Sequence, residues 1–272
     1  AGTRAFRRTG GFLRPLRVTY AMGQSQAAAS TGIQKVLVYI AMEAECKPFV
    51  EHMGLQPAPL VEGMPFQHYT GSFHGGELHV VQPGKDSSHP GCCNVGTVPA
   101  ALALYAALSH VRPDIVINAG TAGGFASKTA EVGDVFVVTQ ACNHDRRIAI
   151  PSYTAYGVGT VAAVAAPALT AAKAWKSGVL TTGNSLDHTP RDDEMMAAND
   201  ASVKDMEGAA IGWTCGLFNT PWLGIKVVTD IVDTPEPTHE EFLRNLSAAA
   251  AALQSALPDV IQHVMGRDLA DL

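Results

Sequence analysis

Short apolar, β-branched runs alternate along this chain with alanine-rich stretches in which apolar positions return at helical spacing. The runs VLVYIAM (36–42), ELHVVQ (77–82), DIVINAG (114–120), DVFVVTQAC (134–142), GVLTTG (178–183) and WLGIKVVTD (222–230) predict strands. Most of them lack polar alternation, so they read as strands buried on both faces. Helical periodicity predicts helices over 44–53, 95–110, 206–219 and 238–265. The Gly-Pro-rich stretch 82–99 reads as a loop. This rhythm of strand and helix predicts an α/β fold with helices packed on a central sheet.

Composition narrows the class. Of 272 residues, 47% are hydrophobic and 16% charged, enough apolar material for one large core and too much for a disordered chain. Residues 35–272 are expected to form a single domain. Ahead of them, the first 42 residues hold Arg4, Arg7, Arg8, Arg14 and Arg17 and no acid, so 1–34 reads as a disordered leader or an organelle transit peptide. Apart from import by such a leader, a cytoplasmic location is expected. The formal charge of -6 gives no general attraction to nucleic acid, and no apolar run is long enough for a membrane span. Five cysteines, at 46, 92, 93, 142 and 215, include no C-x-x-C pair, and the ten histidines show no ligand spacing. No metal is expected.

In open α/β sheets, ligands bind beyond the carboxyl ends of the strands. Four such ends carry unusual chemistry here: AMEAE, NAGTAGG, KDMEGAA and VVTD. Two carboxylates in different environments can divide the work of breaking a glycosidic bond, one protonating the leaving group and one activating water. Asp230, ending an apolar strand, is expected to be buried and to hold its proton. Glu45, nearer a helix N-terminus and a polar loop, is expected to stay ionised. Glu207, opening a helix, could accept hydrogen bonds from a ribose cis-diol. Each has a plainer reading: Glu45 and Glu207 as first-turn helix acids, Asp230 as a turn residue, and the glycines of NAGTAGG as a turn instead of a ligand cradle.

Taken in order, AMEAE, NAGTAGG, VGDVFVV with HDRRI, TTGNSLD, KDMEGAA and VVTD resemble the plant-type methylthioadenosine nucleosidases of the nucleoside phosphorylase superfamily, from about Lys35 to Leu272. The resemblance implies a three-layer α/β/α domain with a mixed central sheet, working as a homodimer on a small nucleoside without a cofactor. It implies that Glu45 is the general base for water and that Asp230 protonates adenine at N7. It places Glu207 on the ribose, Met206 against the sugar, Lys204 and Asp205 in the same pocket wall, Thr121 near the sugar and water, and Leu186 and Asp187 beside the adenine. One departure is Asn184, where the family usually has aspartate, which puts the hydrogen bonding of that loop in question.

Three rivals remain. A phosphorylase would attack the sugar with phosphate and would want basic residues in the anion pocket, whereas a carboxylate at Glu45 would repel phosphate. Lys85 is the one basic residue of the first loops that could argue for it. A storage protein of the same fold would have lost the acids, and a regulatory purine-binding module would keep the pocket without the chemistry.

Overall fold

A computed structural model of the chain describes residues 32–272. Its elements are β1 (Lys35–Ile40), α1 (Glu43–His52), β2 (Gln56–Pro57), β3 (Gln67–Phe73), β4 (Gly76–Gln82), α2 (Thr97–Val111), β5 (Ile115–Gly124) and β6 (Val135–Asn143). There follow α3 (Thr154–Val158), β7 (Val161–Ala162), α4 (Pro167–Lys173), β8 (Lys176–Thr182), α5 (Pro190–Ala198), β9 (Ala201–Asp205), α6 (Gly208–Phe218), β10 (Trp222–Ile231) and α7 (Thr238–Val264).

The strands form one mixed sheet in the order β10-β6-β8-β9-β5-β1-β4-β3-β2. Strand β1 runs parallel to β4 and β5, while β5 is antiparallel to β9. Because β10 pairs with both β5 and β6, the far half of the sheet curls into a closed ring. Alternate residues of β1 serve two cores, as the period of a strand requires. Val36, Val38 and Ile40 pack with Phe49 of α1 and Leu253 and Leu257 of α7. Leu37 and Tyr39 pack with Leu104 of α2 and Ile211 of α6 on the opposite face. This is the α/β/α layering that the resemblance implied.

The four predicted helices and six predicted strands all form, with shifts of a few residues at their ends. The largest shift is in β5, which continues through the glycines to Gly124. Strands β3 and β9 and helices α4 and α5 carry no periodic signal. In β9, all five residues of ASVKD are buried, polar ones included, because their partners come from distant parts of the chain.

The expected leader lies outside the described residues except for 32–34, and those belong to the fold. The Ile33 N–H donates to the Arg267 carbonyl at 2.8 Å, its carbonyl accepts from Gly266 at 2.7 Å, and the Gln34 N–H donates to Asp114 at 2.8 Å. Among the described residues no helix is long and apolar enough to cross a membrane.

Candidate active site

The carboxyl ends of β1, β5, β9 and β10 gather around a cavity of about 270 Å³. Its floor is the segment 118–123 of β5, and its walls include Glu45, Leu186, Lys204, Met206, Glu207 and Asp230. The acids that sequence reasoning singled out therefore meet in one place, although they lie far apart along the chain.

Glu45 stands in the first turn of α1, just past β1. Its Oε1 accepts from the Thr121 N–H and from Thr121 Oγ1, both at 2.7 Å, and its Oε2 accepts from the Met42 N–H at 3.3 Å. It is not a surface acid of the first helical turn, as the plainer reading had it, but 2% exposed. Burial raises its pKa above the usual glutamate range, against the pull of the Thr121 hydrogen bonds and of Lys226. Asp230 is equally buried, and burial raises its pKa as well, opposed by the Thr229 hydroxyl and Lys204. What separates the two acids is their donors. Glu45 accepts three hydrogen bonds that favour its anion, whereas Thr229 Oγ1, at 2.6 Å, is the donor to Asp230.

The glycines of NAGTAGG form neither a turn nor a loop cradle, since Gly120, Gly123 and Gly124 lie in β5 with no positive φ. At Gly123 the missing side chain makes room for an acid, whereas a Cβ at Gly120 would meet Glu45 only at ordinary contact distance. A Cβ at Gly123 would sit 2.7 Å from Asp230 Oδ2, and one at Gly120 would sit 3.5 Å from Glu45 Oε1. Gly120 and Gly123 are three residues apart on β5, roughly 10 Å between their Cα atoms.

Glu207 caps the start of α6, and its Oε1 accepts the Gly96 N–H at 2.8 Å. Burial and the neighbouring Asp205 push its carboxyl up to about 7. The counter-charge is Lys226, which the sequence reading passed over. Its ammonium lies 2.9 Å from Asp205 Oδ2 with both side chains almost wholly buried. Burial works against this charge, but Asp205, Glu207 and Glu45 outweigh it and raise the lysine pKa. The signal was available: a lone charge within the apolar run GIKVV requires a buried partner. Asn118, Val95, Thr238 and Phe242 also line the cavity and were likewise missed.

The other predicted residues divide. Thr121 and Met206 line the cavity as expected, and Leu186 stands at its rim. Asp187 does not line it. That residue lines an adjoining cleft with His188 and Thr234 to His239, which shares Leu186 and Thr238 with the cavity. Asp205 lines the cavity, but its carboxylate is committed to Lys226, to the Thr182 hydroxyl at 2.7 Å and to the Gly208 N–H at 2.9 Å. Lys85 is likewise spoken for, pairing with Glu43 at 2.6 Å.

Asn184 turns away from the cavity. Its Oδ1 accepts from the Thr97 N–H and hydroxyl at the start of α2, while its backbone N–H and Nδ2 donate to Asp145 Oδ2 at 2.7 and 3.2 Å. An amide suits this position because one side needs an acceptor and the other a donor.

Comparison with known proteins places this architecture. A profile of the phosphorylase superfamily matches residues 35–262. A 5′-methylthioadenosine nucleosidase of Arabidopsis thaliana is 45% identical over 243 residues, covering 88% of this chain and 91% of that protein. A 5′-methylthioadenosine/S-adenosylhomocysteine nucleosidase of the same plant is 42% identical, covering 88% and 95%. The apo structure of the Arabidopsis thaliana 5′-methylthioadenosine nucleosidase matches with a TM-score of 0.86 at 45% identity, over 89% of this chain and all of that one. Futalosine hydrolase of Helicobacter pylori, at 21% identity and a TM-score of 0.70 over 85% of this chain and 98% of that one, shares the fold alone. The chain belongs to the phosphorylase superfamily and, within it, to the methylthioadenosine nucleosidase family.

Proposed function

We propose that this protein hydrolyses the N-glycosidic bond of 5′-methylthioadenosine, giving adenine and 5-methylthioribose. In this reading Glu45 takes a proton from the attacking water, Asp230 gives one to adenine N7, and Glu207 holds the ribose hydroxyls. The observation that carries it is the presence of two buried carboxyls, one rich in donors and one poor, on one cavity. That difference favours the anion at Glu45 over the anion at Asp230, as this division of roles requires. The excess of acids over lysines around the cavity favours a substrate that gains positive charge in the transition state.

Water is favoured over phosphate because, among the described residues, no arginine lines the cavity and Lys226 is already paired. Adenine release from 5′-methylthioadenosine should therefore proceed at full rate in phosphate-free buffer, followed by the change in ultraviolet absorbance. A strict requirement for phosphate would convert the reading to a phosphorylase. No release in either buffer would favour storage or regulation. Cleavage of S-adenosylhomocysteine, named for one of the two plant relatives, is tested in the same assay.

The active unit in this reading is a homodimer. Val98, Leu102 and Tyr105 of α2 and Trp213 and Leu217 of α6 are large apolar residues about half or more exposed on two helices that pack together. A patch of this kind marks an interface, and a second copy would cover it. Sedimentation should give twice the chain mass, and Leu102→Glu should lower it to one. A monomeric parent protein would remove the dimer from the proposal.

A further inference from the structure

Lys204 is nearly buried at the end of β9, on the cavity wall. Its ammonium donates to three consecutive backbone carbonyls, those of Ser185, Leu186 and Asp187, at 3.0, 2.6 and 3.2 Å. An ammonium has three protons, so this set uses all of them and leaves none for a bound molecule. Within a planar trans peptide the carbonyl and the next N–H point in opposite directions. Carbonyls of 185–187 drawn onto Lys204 therefore turn the N–H groups of 186–188 away from it. Leu186, in the middle of this segment, lines the cavity.

We infer that Lys204 is a positioning residue: its ammonium shapes the 185–187 segment into a rigid edge for recognising the purine, and its charge acts across the cavity on Asp230. This rests on the nucleosidase reading above. The two actions are separable, because one needs donors aimed at the carbonyls and the other needs only charge. Asp230 is faced by Lys204 from β9 and by Glu241 from α7, with opposite effects on its proton. Removing the lysine charge leaves the Asp230 anion less favoured, so the protonated acid persists to higher pH.

Three variants test this by calorimetric adenine affinity and by the pH dependence of kcat/KM. Lys204→Met should weaken adenine binding roughly tenfold, since three partly buried hydrogen bonds to the carbonyls of 185–187 are lost, and should move the alkaline limb to higher pH. Lys204→Gln keeps an N–H donor without charge, so affinity should recover in part while the limb stays displaced. Lys204→Arg keeps the charge, but its planar fork does not converge on three carbonyls, so affinity should fall with the limb in place. If Lys204→Met does not fold, the Gln and Arg pair still separates the two actions. Parent affinity and an unmoved limb in the Gln variant would overturn the inference. A parent protein that releases no adenine from 5′-methylthioadenosine would overturn the nucleosidase reading instead.

Discussion

Glu45→Gln should lower kcat by roughly 10³-fold, the usual worth of a well-placed general base, with little change in KM. Glutamine keeps an oxygen to accept from Thr121, so the cavity wall retains its shape while the proton acceptor is lost. The pH profile carries a second signature. In the parent protein Glu45 must be ionised, so activity falls as pH drops through a pKa that burial holds above the ordinary glutamate range. In the variant that acid limb should vanish from kcat/KM, while the alkaline limb set by Asp230 persists. A variant as fast as the parent would rule out Glu45 as the base and with it the division of labour between the two acids.

Lys226→Met tests the charge balance beneath the cavity. Methionine fills a similar volume, so the principal loss is the ammonium that faces Asp205 at 2.9 Å. Breaking a fully buried pair from one side costs about 3–5 kcal/mol, because the remaining charge has no partner. For a domain of this size that corresponds to a melting temperature lower by roughly 10 °C. The deficit has a defined sign with pH. It should be largest where Glu207 and Glu45, both raised by burial, are ionised and should shrink as pH falls and these two carboxyls take up protons. Adding Asp205→Asn to Lys226→Met should recover part of the loss. Equal melting temperatures for parent and Lys226→Met above neutral pH would show that the pair is not needed for stability.

Both experiments bear on groups that sequence reasoning treated unequally. Glu45 stood out because an acid directly after a strand lies where α/β sheets bind ligands. Lys226 did not, although a charge within an apolar strand is as informative, since it implies an opposite charge from elsewhere in the fold. Gly123 and Gly124 of NAGTAGG, beyond the predicted run 114–120, were legible as unusual but not as strand. Only pairing with β10 on one side and β9 at the end keeps that segment extended. Strand β9 escaped detection because ASVKD has neither apolar alternation nor an apolar run, and its register against β8 and β5 supplies what its own residues do not signal.

By itself the sequence determined the α/β class, the main strands and helices, the order of the motifs and the identity of the acids, because hydrophobic periodicity and residue type are local properties. The tertiary structure decided which of those residues meet. It brought Glu45 and Asp230 to one cavity, placed Asp187 in the adjoining cleft, turned Asn184 toward the start of α2 and engaged Lys204 with three carbonyls. It also decided how far each carboxyl is desolvated and which distant donors reach it, as Thr121 reaches Glu45 from 76 residues away. No local pattern encodes such a partner.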